Sequence, residues 1–241
     1  MLNILENERL KLKRNKLLPV CSLMAILIPV FMILVDFTDK DSILSSMTEL
    51  DWIIRLIIPV QVIVYPILSG FVITFLIQKE YVERTMINTL TAPTNRTKFL
   101  LGKYIIWTIW AVLINILFLL VTCIGFYFLF GKIDFQEYFT QIYDLYLKTG
   151  LLSILSMSPI LIVCILQRNT FYPSLLFSCI ISGVEFIGLY WPENIRNLIP
   201  WSAVTSITIL NANGILPFAS IGICYLLGLI VSSYSLKKQN L

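Results

Sequence analysis

Side chains that could perform covalent chemistry are few in this sequence. Its 241 residues include no histidine, which excludes imidazole acid–base catalysis and histidine-ligated metals. There is also no GxxxxGK[ST] phosphate-binding loop, so any ATP that drives the protein is expected to bind to another chain. The cysteines lie inside apolar runs without CxxC spacing, as is typical of small buried side chains; they are Cys21, Cys123, Cys164, Cys179 and Cys224. We therefore predict no catalytic residue, no metal ligand and no cofactor bound by this chain.

Polar side chains inside apolar runs are the remaining candidates for a site. Glu185 is an acid inside the fifth apolar run, and such a group is a functional candidate because its burial is costly. The alternative is an outer-leaflet residue that reaches headgroups or stays protonated. Arg55 lies at a similar depth in the second run and is the expected partner of Glu185. Trp107 and Trp110 either face a hydrophobic substrate path or pack against helices and lipid.

One polar stretch, residues 79–103, separates two long apolar runs and reads KEYVERTMINTLTAPTNRTKFLLGK. Two acids, Glu80 and Glu83, lie near its start and a short amphipathic segment follows. The residues after Pro93 include several Lys and Arg. An amphipathic helix with an acidic start can sit in a groove of a soluble partner. The alternative is a basic loop that only sets the topology.

The elements that must hold these residues are membrane helices. The chain is 58% hydrophobic and 13% charged, whereas soluble domains carry about 25% charged residues. Several apolar runs reach the roughly 20 residues that a helix needs to cross a bilayer. We predict an all-α integral membrane protein, a single domain with six spans, at about 17–35, 52–78, 100–130, 147–166, 171–191 and 215–236. The second run is longer than a bilayer core requires, so it should be tilted, kinked at its prolines, or extended into the cytoplasm.

The placement of Lys and Arg sets the expected orientation. Residues 1–16 are predicted to form a basic amphipathic helix on the cytoplasmic surface, with a frayed basic tail as the alternative. This segment, the 79–103 stretch and the end of the chain hold most of the basic residues, and most acids lie in the other loops. Both termini are therefore expected in the cytoplasm.

The outer loops are predicted to be modest, at about 36–51, 131–146 and 192–214. The last of them is largely apolar, which a free aqueous loop would not need. We expect short helices there that dip into the outer leaflet and are broken at Pro192 and Pro200. Backbone at that depth must be covered by protein.

The 79–103 stretch also resembles a known family. Its order of acid, Thr, Leu, Pro, Arg and Lys is similar to the first cytoplasmic loop of ABC-2 type permeases, the membrane subunits of one class of ATP-binding cassette transporter. The matching positions are Glu83, Thr85, Leu90, Pro93, Arg96 and Lys103. Arg84 stands where that family often has glycine.

The resemblance implies that this loop is a coupling helix pressed into a separate ATPase subunit. The implied ATPase-coupling residues are Glu80, Glu83, Arg84, Thr85, Leu90, Pro93 and Arg96. The implied partners are two ATPase subunits that bind ATP and Mg²⁺, a second permease subunit, identical or similar, and the lipid of a bacterial cell membrane. No nucleic acid is expected.

The N-terminal motif at 6–14 is similar to permeases of lantibiotic-immunity and bacitracin-resistance exporters. That likeness implies export of an amphipathic substrate such as a peptide antibiotic. A non-transporting membrane scaffold or sensor subunit is the alternative. A secondary transporter would usually show an internal repeat and more polar groups at the midplane, and neither is clear in this sequence. An intramembrane enzyme is disfavoured because the sequence has no histidine and no paired acids inside the apolar runs.

Overall fold

The computed structural model describes residues 16–82, 96–167 and 170–238, and every regular element in these ranges is helical. We number the helices in chain order. Before the first gap lie α1 (Leu17–Thr38), α2 (Lys40–Ser46), α3 (Glu49–Pro59), a π-helical turn (Val60–Val64) and α4 (Tyr65–Val82). Between the gaps lie α5 (Arg96–Phe130), α6 (Lys132–Ser156) and α7 (Ile160–Leu166). After the second gap lie α8 (Tyr172–Gly188), α9 (Glu193–Leu198), α10 (Pro200–Thr208) and α11 (Ile215–Lys238). The all-α prediction is confirmed for this part of the chain.

Within the described residues, five helical stretches are long and apolar enough to cross a membrane: Leu17–Thr38, Glu49–Tyr81, Thr97–Phe130, Asp134–Leu166 and Ile215–Lys238. The predicted fifth span corresponds to α8, which has 17 residues. At a rise of about 1.5 Å per residue α8 measures about 26 Å, slightly less than an apolar core of about 30 Å. The chain is therefore a multi-pass membrane protein, and the sixth crossing stays a prediction.

The structure differs from the sequence-based expectation at 131–146, which was predicted as an outer loop. This segment is the first part of α6, which begins at Lys132 directly after Gly131. Gly131 has a φ of 102°, a conformation that favours glycine and separates α6 from α5. Tyr138, Ile142 and Tyr146 recur at helical spacing, and Ile142 and Tyr146 are buried. That apolar stripe makes the segment a helix despite its charges.

The second predicted span is one helical rod made of α3, the π-helical turn and α4. The π-helical turn lies between Pro59 and Pro66. Proline removes a backbone donor and clashes with the carbonyl four residues earlier, and a π-helical turn is a common way to absorb such a disturbance. The irregularity expected at the prolines therefore takes this form.

The long helix α5 lies at the centre of one half of the bundle. It packs against α1, α4, α6 and α11, and α8 packs against α4, α7 and α10. Trp52, Phe118 and Phe126 are among the largest fully buried side chains. Leu23, Phe31 and many other apolar side chains are exposed, as a surface that faces lipid requires.

The segment after α8 forms the two short helices that the sequence predicted. Pro192 precedes α9 and Pro200 opens α10. Every residue from Ser202 to Thr208 is buried, and α10 packs against α6, α8 and α11. This backbone is covered by protein, as non-spanning backbone in a membrane must be.

Candidate functional site

Most residues of the predicted coupling loop lie outside the part of the chain that the structure describes. These are Glu83, Arg84, Thr85, Leu90 and Pro93. The predicted N-terminal amphipathic helix, residues 1–16, also lies outside the described part of the chain, apart from Lys16. Arg96 is the first residue of α5. The described part of this region therefore consists of the end of α4, which leads into the loop, and the start of α5, which follows it.

The structure joins those two helix ends through a buried ion pair. Lys103 Nζ, in the third turn of α5, donates to Glu80 Oε1, near the end of α4, at 2.8 Å. Glu80 is 2% exposed and Lys103 is 3% exposed. The ammonium group of Lys103 also lies 5.3 Å from the ring centroid of Phe99, a favourable cation–π distance.

This pair places Glu80 differently from what the resemblance implied. The resemblance implied that Glu80 contacts an ATPase subunit, but the carboxylate points into the protein and is almost inaccessible. The sequence identified an acid near a helix end without fixing which face of α4 would carry it. Lys103, 23 residues away in the chain, pairs with Glu80 on the face of α4 that is turned into the protein.

The last three turns of α4 carry two further polar anchors. Gln78 Nε2 donates to the Cys164 carbonyl of α7 at 2.8 Å. Thr74 Oγ1 donates to Ser174 Oγ of α8 at 2.6 Å. These residues were not predicted from the sequence, although Thr74 and Gln78 are polar at a spacing of four and so share one helix face. The end of α4 is thus bonded to α5, α7 and α8.

A second polar group surrounds the π-helical turn. Gln61, which is fully buried, donates to Thr205 Oγ1 at 2.8 Å and accepts from Thr208 Oγ1 at 3.0 Å. Ser182 Oγ of α8 donates to the Val62 carbonyl at 2.7 Å. These bonds connect α10 and α8 to the irregular part of the second rod. Buried polar groups in a membrane need such internal partners.

Glu185 lies one turn beyond Ser182 on the same face of α8. It is fully buried, and among the described residues neither carboxylate oxygen has a hydrogen-bond partner. Gly188, almost one turn further, lies directly against Ser202 of α10. Glu185 therefore sits in the part of α8 that packs on the π-helical turn and α10.

The predicted partnership between Glu185 and Arg55 is wrong. Arg55 Nη2 lies 3.0 Å from Asp36 Oδ1, and the other oxygen of Asp36 accepts from Trp52 Nε1 at 2.8 Å. The short helix α2 folds the chain back, so that the end of α1 meets the start of α3. Arg55 thereby pairs with an acid of α1.

Trp107 and Trp110 both lie in the packed interior. The ring of Trp107 contacts that of Tyr104 in a tilted arrangement, with 5.2 Å between the ring centroids, and Trp110 Nε1 donates to Ser22 Oγ at 3.0 Å. The void that Trp110 lines holds about 10 Å³, no more than one water molecule needs. Of the two readings of these tryptophans, the structure supports packing in this conformation.

Comparison with known proteins now decides the family. A sequence model for the family described as ABC-2 family transporter protein matches residues 4–184, which is well over half of the chain. The chain belongs to the ABC-2 transporter family. It is also similar to the bacitracin transport permease protein BCRB of Bacillus licheniformis, at 33% identity over 141 residues. That match covers 57% of this chain and 64% of the relative, so the chain spans just under two thirds of that protein's length.

The resemblance to ABC-2 permeases is thus confirmed. The family match includes the 79–103 stretch, the π-helical turn and Ser182 of this ABC-2 transporter chain. Glu185 and the buried helix α10 lie beyond its end at residue 184. Within the described ranges, no group of three or more His, Cys, Asp or Glu side chains is placed to hold a metal ion.

Proposed function

We propose that this ABC-2 chain is the permease subunit of an ATP-binding cassette exporter. A separate subunit would hydrolyse ATP, and the permease would move an amphipathic substrate out of or off the membrane. The observation that carries the proposal is the geometry at the ends of α4 and α5. Two long membrane helices enter and leave a polar loop side by side and are joined by the buried pair of Glu80 and Lys103.

The remaining parts of the assembly follow from the same proposal. Two ATPase subunits, each with ATP and Mg²⁺, would bind the face that carries residues 83–95, and a second permease subunit would complete the complex. The excess of Lys and Arg in 1–16, in 79–103 and at the C-terminal end supports a cytoplasmic position for this face and for both termini in a bacterial cell membrane.

The first test is co-purification. The chain is expressed with candidate ATPases from its own genome and isolated in mild detergent, as wild type and as Glu83→Arg. We expect an ATPase to accompany the wild type and to be lost with Glu83→Arg. The matched control is Glu137→Arg, the same charge change at an exposed position of α6, which should retain the ATPase. If no ATPase accompanies the wild type, the transporter proposal is wrong.

The second test concerns the substrate, for which a peptide antibiotic is proposed because a relative is named a bacitracin transport permease. A susceptible Gram-positive host would express the permease with its ATPase, and growth would be measured against bacitracin and other peptide antibiotics. Resistance that disappears with a hydrolysis-deficient ATPase supports export. An ATPase that binds the permease without changing susceptibility to any peptide would favour the scaffold or sensor alternative.

A further inference from the structure

We infer that Glu80 and Lys103 join the end of α4 and the start of α5 into one moving unit, so that they are positioning residues for transport. This inference rests on the proposed function and assigns these two residues a role inside the permease instead of at the ATPase surface. Their pairing is a direct ionic contact between α4 and α5.

The burial of the pair is the first reason for this role. An exposed ion pair breaks at little cost because water solvates both charges. Here both groups are nearly inaccessible, and separating them would take each buried charge away from a partner that water cannot readily replace. Displacement of one helix end should therefore carry the other helix with it.

The position of the pair is the second reason. Glu80 lies two residues before the last residue of α4, and Lys103 lies seven residues after the first residue of α5. A subunit that binds the loop between these helices would push or pull at this pair. The ring of Phe99 against Lys103 Nζ further limits where the ammonium group can move.

The bonds of α4 supply the third reason. Through Gln78 and Thr74 the end of α4 is also held to α7 and α8. At its other end α4 continues into the π-helical turn, where Gln61 holds α10. A displacement delivered through the ion pair thus has a continuous route, along the α4 backbone and these hydrogen bonds, to the polar group around the π-helical turn. Spatial continuity alone does not establish coupling, so the test must measure it.

The experiment uses the complex of the permease with the ATPase that accompanies the wild type. The variants are Glu80→Gln, Lys103→Gln and the exchange Glu80→Lys with Lys103→Glu. For each, the amount of co-purified ATPase, the rate of ATP hydrolysis and the resistance of cells to bacitracin are measured. Asp144→Asn is the matched control, because Asp144 forms an exposed ion pair with Lys148 on α6.

We expect both single variants to retain the ATPase and its hydrolysis while resistance falls by about tenfold, in the range of measured coupling energies. The exchange variant should recover at least half of the lost resistance, and the control should behave as wild type. A purely structural role would lower the amount of complex and its resistance in proportion, and would not separate hydrolysis from transport.

Two results would overturn the inference. One is full resistance in either single variant at normal protein levels. The other is an exchange variant that assembles with the ATPase and hydrolyses ATP but gives no more resistance than the single variants. If the single variants do not accumulate in the membrane, the exchange variant alone decides between these outcomes. If the single variants lose the ATPase while the Glu83→Arg variant still binds it, Glu80 belongs to the surface that contacts the ATPase.

Discussion

At the scale of single residues, the described charges inside the helix bundle differ in how they are compensated. Asp36 meets Arg55, and Glu80 meets Lys103, each across a helix contact. Glu185 is fully buried without a partner among the described residues. An ionised carboxylate in such a place would cost several kcal/mol, so the surroundings of Glu185 favour a neutral group of the same shape.

We therefore expect Glu185→Gln to fold and Glu185→Ala to be less stable. Glutamine keeps the volume and needs no counter-charge, whereas alanine leaves a cavity that should lower stability by about 2–4 kcal/mol. The measurement is the apparent melting temperature of the detergent-purified chain, followed by size-exclusion chromatography. Glu193→Ala, at an exposed position of α9, is the control. Equal losses for Gln and Ala would mean that Glu185 is held by its charge.

The comparison of sequence with structure is most instructive at these residues. Polarity inside an apolar run identified Glu185 and Arg55 as unusual, because such placement is costly in any fold, whereas Glu80 was noted only as an acid of the polar 79–103 stretch. The partners of Arg55 and Glu80 could not be predicted. Asp36 comes close to Arg55, and Lys103 to Glu80, only when different helices pack together. The apolar runs of the five long helices, in contrast, are visible locally, because a helix in lipid must satisfy its own backbone.

At the scale of elements, the π-helical turn and the short helix α10 form one joint. Gln61 bonds to Thr205 and Thr208 of α10, and Ser182 of α8 bonds to Val62. The turn exists because two prolines flank it, and its irregular backbone lets an amide side chain and a carbonyl face neighbouring helices. The sequence predicted the irregularity and the short helices separately, without the bonds that join them.

Gln61→Leu should loosen this joint. Leucine fills a similar volume but offers no hydrogen bond to Thr205 or Thr208, and an unsatisfied buried group costs about 1–3 kcal/mol. We expect a lower melting temperature and faster proteolysis in the connection between α8 and α11. Gln136→Leu, the same change at an exposed position of α6, serves as the control. Unchanged stability of Gln61→Leu would show that α10 is held by packing alone.

Close helix contact at Gly70 allows a second test at this scale. A Cβ at Gly70 of α4 would collide with Ser178 of α8, whereas a Cβ at Gly183 of the same α8 would meet open space. Small residues at helix contacts permit such close approach in membranes. Gly70→Ala should lower stability by about 1–3 kcal/mol through overpacking, and Gly183→Ala should not.

The second-site change Ser178→Gly makes the Gly70 test specific. Removing the Ser178 side chain takes away the atoms that the new methyl group meets, so the double variant should regain most of the lost melting temperature. If Gly70→Ala is as stable as wild type, α4 and α8 can move apart at no cost and their contact is not tight.

At the scale of the whole molecule, the number of crossings fixes where the two ends of the chain lie. In the part of the chain that the structure describes, five helical stretches have the length of a span, and five crossings would place the termini on opposite sides. The proposed arrangement has both ends in the cytoplasm, so α8 must cross as well. Its 17 residues are enough if the bilayer thins slightly or if flanking residues complete the crossing.

Labelling of single cysteines on intact cells tests directly whether α8 crosses the membrane. In a variant without the native cysteines, Ser42→Cys on exposed α2 should react with a membrane-impermeant maleimide from outside. Lys238→Cys, exposed at the end of α11, should react only after permeabilisation. Reaction of Lys238→Cys from outside would mean that α8 does not cross. The end of α11 would then lie on the opposite face from residues 83–95, and the even number of spans proposed for this ABC-2 chain would be wrong.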